Sequence, residues 1–366
     1  MKKSVKSGIA IFAGGITLVA SSAHAQSDVT LYGVLDVGVM YTSKTPGASG
    51  KNAGSSLSIE NGGYLPSFFG VKGKEDLGGG YDANFDLQSG IDLGNGGFDN
   101  NLAGSFFGRE SWVGVSGRFG EVRAGVQYSA FEEAMFELDP RGFEQMGTLV
   151  TLYSANSITG TFSPNAIEYR SPNLYGLRGI VMTCTGGHPG NFREGFCYSG
   201  MLSYEIGSLK IVAGAIDEAA DDGTETTNPG WAFERQVIAK TVGATYNFQS
   251  VRVVANYTTF RAPELLSNSS GANDVYNIGT DWYVTPTIDL NGSVAWVQDP
   301  NHSRTHVLQV SSGLSYYLSK RTSFYGQFAV VDNKGNEHIG PTMENGNLVG
   351  VSGTTFAADI GIRHMF

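Results

Sequence analysis

A hydrophobic period of two residues recurs along nearly the whole chain. In 81–92, Ala83, Phe85, Leu87 and Ile91 alternate with Asp82, Asn84, Asp86 and Gln88. In 288–298, Leu290, Val294 and Trp296 alternate with Asp289, Asn291 and Ser293. In 306–318, Leu308, Val310, Leu314 and Tyr316 alternate with Gln309, Ser311 and Ser315. Successive side chains of a strand point to opposite faces, so this period marks strands with one apolar and one polar face. Helical spacing is confined to 131–138. The pattern gives sixteen strands, near 28–41, 66–76, 81–93, 106–117, 121–128, 165–171, 176–184, 196–204, 209–217, 235–247, 251–260, 274–284, 288–299, 305–318, 323–333 and 354–366. The fold class is all-β.

The connections alternate in length. Short turns fall at 78–80, 117–120, 172–175, 205–208, 248–250, 285–287 and 319–322, with longer loops between them and the longest at 129–164. Hydrophobic residues make up 41% of the chain and charged residues only 16%. Yet past residue 25 no apolar run reaches the roughly 18 residues that a membrane helix needs. A soluble β-sandwich would show the same alternation. Sixteen strands of about ten residues, with short turns at one end and long loops at the other, suit an outer-membrane barrel. Lipid admits only closed sheets, because an open edge leaves backbone groups unpaired. The expectation is a 16-stranded antiparallel transmembrane β-barrel, with both termini on the periplasmic side. Phe356, Ala358, Ile360, Ile362 and Phe366 share one face of its final strand.

The first 25 residues read as an export signal. Lys2, Lys3 and Lys6 precede an apolar stretch at 9–20, and Ala23-His24-Ala25 has the form of a cleavage site. The expected organisation is a signal peptide at 1–25 and a barrel at 26–366. Loss of those three lysines and no acid leaves 21 basic against 34 acidic residues, a net charge of −13. Nucleic acid is therefore not an expected partner, since phosphate contacts need clustered Lys and Arg. His188, His302, His306, His338 and His364 are scattered, and no metal-ligand, Walker or nucleophile-elbow motif occurs. No cofactor and no metal site are expected, and an enzyme built on a barrel is the remote alternative.

Several segments resemble Gram-negative general porins of the betaproteobacterial and neisserial type. They are Val29-Thr30-Leu31-Tyr32-Gly33, the run from Phe69 to Gly80 (FGVKGKEDLGGG), the run from Phe107 to Val115 (FGRESWVGV), Leu318-Ser319-Lys320-Arg321-Thr322 and the ending Gly361-Ile362-Arg363-His364-Met365-Phe366. The resemblance spans the chain beyond residue 25. It implies a water-filled barrel, a homotrimer, and a third loop folded into the lumen. The expected partners are outer-membrane lipid and lipopolysaccharide, with ions and small hydrophilic solutes passing through. Independently, a barrel of this strand number is too wide for its wall side chains to fill. A substrate-selective channel for an organic acid or sugar is the alternative on the same barrel. Phe131, Phe136 and Phe143, with Phe68, motivate it, although loop packing explains them better.

The long loop carries Glu132, Glu133, Glu137, Asp139 and Glu144 against one base, Arg141. These are the expected acidic side of a constriction. Arg109, assigned to the face of Ser111, is its expected basic wall, with Lys72, Lys74 and Arg123. Three positions depart from the family pattern, with Phe68, Val126 and Glu168 where bases are common. Lumen-facing positions add Asp36, Asp82, Asp86, Asp281, Asp289 and Asp359, offset by Arg252 and Arg363. Charged rings select ions by sign, so the expected pore is near-neutral or weakly cation-preferring. The loop 94–105 is the expected subunit clasp. Cys184 and Cys197 flank one hairpin loop and are expected to form a disulfide, since opposed residues on antiparallel strands suit a bridge. The acidic stretch Asp217, Glu218, Asp221, Asp222 and Glu225 reads as a solvated loop more readily than as a cation site.

Overall fold

The computed structural model describes residues 28–100, 105–156, 162–187, 189–218, 237–261 and 271–366. The expected signal peptide, Asp221, Asp222, Glu225 and part of the loop 94–105 lie outside these residues. The strands are β1 (Asp28–Thr42), β2 (Ser56–Asn61), β3 (Phe68–Gly78), β4 (Tyr81–Gly90), β5 (Ser111–Gly117), β6 (Gly120–Tyr128), β7 (Phe162–Arg170), β8 (Leu177–Cys184) and β9 (Cys197–Ile206). They continue as β10 (Leu209–Glu218), β11 (Val237–Phe248), β12 (Val251–Arg261), β13 (Ala272–Thr285), β14 (Ile288–Gln298), β15 (His306–Tyr317), β16 (Thr322–Lys334) and β17 (Gly353–Met365). All join one sheet, which closes where β1 pairs antiparallel with β17, Val34 opposite Met365 and Thr42 opposite Ala357.

These segments form sixteen staves, because β2 and β3 are two halves of one. Along β1, Val37–Thr42 pairs with β2 and Asp28–Val34 pairs with β3. The interruption at 62–67 holds Gly62 and Pro66, and proline cannot donate to a ladder. Asp36 stitches the break. Its carboxylate accepts from Leu65 N at 2.9 Å, and its backbone exchanges two 2.9 Å bonds with the Ser67 hydroxyl. The sequence pattern did not mark β2, which has only six residues. β5 is also shorter than expected. Residues 106–108 leave the ladder, where Phe106 packs on Phe69, Phe98 and Phe107 with ring centroids 6.1, 5.4 and 4.6 Å apart, and Arg109 and Glu110 keep backbone hydrogen bonds to Gln88 of β4.

The alternation sorts as a membrane barrel requires. On β14, Leu290, Val294 and Trp296 are exposed outside, while Asp289, Asn291, Ser293, Ala295 and Val297 are buried inside. On β17, Phe356, Ile360 and Ile362 point outward and Asp359 and Arg363 inward. The turn between β3 and β4 uses three consecutive left-handed glycines, Gly78, Gly79 and Gly80, with φ of 79°, 66° and 82°. Only glycine enters this region without steric cost.

Inside, the wall is apolar where α1 (Ala130–Leu138) and α2 (Leu149–Asn156) lie. Phe131, Ala134, Met135 and Leu138 of α1, with Leu149, Leu152 and Tyr153 of α2, form one buried cluster with Val212, Ala239, Val254, Phe260, Val275 and Val297 of the wall. Burying a side chain such as Phe131 contributes about 1.5–3 kcal/mol, so the loop between β6 and β7 is docked by the same apolar packing that builds a soluble core. Gly147 allows the close approach, since a Cβ there would stand 2.6 Å from Ser311 Cβ and 2.9 Å from Ala329 Cβ.

Candidate pore constriction

The loop between β6 and β7 fills one side of the barrel, with α1 along β9–β12. A pocket of about 440 Å³ opens along β1 and β3–β6. Ser129 caps α1, its hydroxyl accepting from Glu132 N at 3.0 Å.

The five loop acids do not form one face on the open lumen. Glu132 is fully buried, and neither carboxyl oxygen has a hydrogen-bond partner among the described residues. Burial, then the nearby Glu218, holds its carboxyl well above the usual range. Glu133 takes a forked pair of hydrogen bonds from Arg170 of β7, one of them at 2.9 Å. Arg170 Nε also donates to Glu168 at 2.5 Å. Glu137 is ion-paired with Lys210 of β10. Asp139 is fully buried and accepts from the backbone N–H groups of Arg141 and Leu149, each at 2.7 Å. Burial raises its carboxyl, and those bonds oppose the rise. Glu144 is buried too, raised by burial and lowered by Arg141.

Arg141 is the brace. Fully buried, it donates to Asn291 Oδ1 and Gln327 Oε1 at 2.8 Å each, and also to Glu144 and to the Met146 carbonyl. Asn291 returns a 2.6 Å bond to Glu144. The loop's single base is thus spent on tying it to β14 and β16.

On the opposite wall, Arg109 comes to the inner side by a different route from the one expected, and there it is buried. Ser111 falls on the outer side with exposed Val113 and Val115, whereas Trp112 is buried inside. Arg109 precedes β5, and the bend there turns it inward, which corrects the shared-face assignment. Its guanidinium lies 4.9 Å from the Phe68 ring centre and 5.0 Å from that of Phe162, and donates to the Tyr128 hydroxyl at 3.3 Å. Lys72 sits 4.6 Å over the Tyr32 ring. Lys74 pairs with Asp82 at 2.8 Å. Arg123 pairs with Glu121 at 2.8 Å and stacks 4.0 Å over Trp112. Asp36, Asp289, Asp359 and Arg363 are buried inside, and Arg252 donates to the Glu137 carbonyl at 3.0 Å. Asp281 has a buried carboxyl oxygen with no hydrogen-bond partner.

Arg170 and Lys210 were missed as partners of the loop. Arg170 lies two residues from Glu168, so strand alternation alone placed it on the same inner face. Cys184 and Cys197 are opposed in the β8–β9 ladder and joined by a disulfide. Asp217 and Glu218 end β10. Phe136 packs on Tyr128 and Phe143, with centroids at 5.0 and 4.0 Å. Phe131 packs on Tyr153 at 5.7 Å, so these rings hold the loop to the wall and to itself.

Residues 10–336 match the family model described as Gram-negative porin. The chain belongs to the Gram-negative porins. It is 28% identical to outer membrane porin protein 32 of Delftia acidovorans, over all of both chains. It is 26% identical to the major outer membrane protein P.IB of Neisseria gonorrhoeae, over 84% of this chain and 89% of that one. A solved anion-selective porin from Comamonas acidovorans has a TM-score of 0.75 at 25% identity, covering 93% of this chain and all of that one. This porin is a channel of the bacterial outer membrane for passive diffusion, and its family is one of channels, not enzymes.

Proposed function

We propose that the pore is near-neutral or weakly cation-preferring and passes small hydrophilic solutes. One observation carries this reading: every acid of the inward loop is buried or partnered, so the open lumen is governed by the β1–β7 wall. There Lys72, Lys74, Arg123 and Arg170 alternate with Asp82, Asp86 and Glu121, while Arg109 and Glu168 are buried in the wall. Such an interleaved surface leaves little net field along the axis, while across the lumen it orients dipolar solutes. The anion selectivity named for the Comamonas acidovorans porin belongs to that protein. The test is the reversal potential of the reconstituted porin in a KCl gradient, and strong anion selectivity overturns the reading.

The same reading includes cleavage after Ala25 and a homotrimer set in outer-membrane lipid and lipopolysaccharide. Exposed Phe98 and Phe106 beside the short strand β5 support a subunit contact there. A solved OmpT of Vibrio cholerae, described as a trimer form, shares the fold at a TM-score of 0.63 and 14% identity. N-terminal sequencing of the membrane form and its mass in detergent test these two points. Sequencing should begin at Gln26, and a monomer mass would refute the trimer.

A further inference from the structure

Lys72 and Asp86 are direct cross-strand partners in the β3–β4 ladder, on the inner face. Opposite charges in this position normally close on each other. Here they do not. Tyr32 of β1 lies between them. Its ring takes the Lys72 ammonium at 4.6 Å, and its hydroxyl donates to the two Asp86 oxygens at 2.5 and 2.7 Å. Gln88 Nε2 donates to the same hydroxyl at 2.8 Å and fixes it. No carboxylate of the described residues lies within ion-pair distance of Lys72, whereas Lys74 and Arg123 each have one. The result is a held-open dipole in the inner wall, beside a pocket of about 440 Å³ lined by Lys72, Asp86, Asn84, Trp112, Glu121 and Arg123.

We infer that this pocket is a transit site for small zwitterions of the α-amino acid type, the carboxylate set at Lys72 and the ammonium at Asp86. A simple anion meets Asp28, Asp86 and Glu121, and a simple cation meets Lys72, Lys74 and Arg123. A neutral molecule with separated charges satisfies both ends at once. The indole of Trp112 is covered by Arg123, so the site offers charge rather than a bare ring, and short side chains suit it best. Weak attraction of this kind raises solute concentration at one point along a pore while still allowing release. The inference rests on the reading of an open, near-neutral pore.

L-Alanine and lactamide are isomers, one a zwitterion and the other uncharged, and they separate the two readings. Liposomes carrying the full porin are swollen in each solute. The expected result is entry of L-alanine about threefold faster than lactamide, on the scale of two water-screened ion contacts, with an alanine rate that saturates. Tyr32→Leu lets Lys72 and Asp86 close on each other without changing the charge of the pore, and Asp86→Asn removes one end. Both should bring alanine down to the rate at which lactamide enters through the same variant. Heat-modifiable gel mobility confirms that each variant is a folded barrel. Equal rates for the two isomers in the natural protein, or a preference that survives both variants, overturn the inference. Failure of lactamide itself to enter overturns the open-pore reading instead.

Discussion

Replacing Arg109 by Gln removes a positive charge that has no ion-pair partner among the described residues. Its guanidinium is held between Phe68 and Phe162 and the residue is only 6% exposed, so the charge acts on the lumen from a fixed place in the wall. For an ion passing at about 6 Å in water, the interaction is about 0.7 kcal/mol before screening. At 0.1 M salt the screening length is about 10 Å, which leaves about 0.4 kcal/mol, or nearly a factor of two in local ion concentration. Cations gain that factor and anions lose it, so the cation-to-anion permeability ratio should rise about three- to fourfold. At 1 M the screening length is about 3 Å, and the same substitution should change the ratio by only about 1.4-fold. Reversal potentials in KCl gradients centred on the two concentrations measure both values. A shift towards anions would show that Arg109 does not face the ion path. A shift equally large at 1 M would show that the substitution moved the loop rather than the field.

Glu132→Gln should leave the reversal potential unchanged, because that carboxyl is fully buried under the loop and does not face the lumen. Glu133→Gln frees one side of Arg170 and should shift the pore towards anions in the same measurement. Arg141→Met strands the Glu144 carboxylate and the Asn291 and Gln327 amides, and breaking a buried pair costs about 3–5 kcal/mol. Single-channel records should then show larger, noisier openings as the loop undocks, with partial recovery in Arg141→Met/Glu144→Gln. Glu344, in the loop between β16 and β17, is pushed up to about 8 by burial and then by Asp99 and Asp92. Because the folded state holds this proton more tightly, docking of that loop is strongest below about pH 4.5 and weakens as pH rises to about 8. Hydrogen-exchange protection factors in 337–350 should be lower at pH 9 than at pH 5, and Glu344→Gln should remove most of the difference.

The wall of this barrel was legible in the sequence because lipid and water sort strand faces without reference to anything distant. Leu290, Val294 and Trp296 on β14, or Phe356 and Ile360 on β17, needed only the two-residue period to be placed. The period fails where the chain leaves the ladder. Arg109 was put on the face of Ser111 by counting through residues that turn inward before β5. The break between β2 and β3 depends on Asp36 reaching Leu65 and Ser67, partners about thirty residues away that no local pattern announces. The loop charges were legible as residues but not as roles. An acid in a lumen and an acid under a helix have the same sequence appearance, and only packing distinguishes Glu132 from a group in water.

That distinction follows from how an inward loop must be held. A segment lying inside a water-filled barrel stays there only if its contacts with the wall outweigh the entropy of ordering it. Here an apolar side of α1 and α2 supplies part of the hold, and the polar remainder is closed by Arg141, Asp139 and Glu144. The loop between β16 and β17 adds a second hold, with Gly147 N donating to Pro341 O at 2.7 Å and Met146 bridged to Thr342. Charges used for this purpose are buried or paired, and so are withdrawn from the field that a passing ion feels. The more firmly a loop of this composition is docked, the less its formal charge reports on selectivity. In this porin all five loop acids are buried or paired, so counting them says little about the sign of the pore.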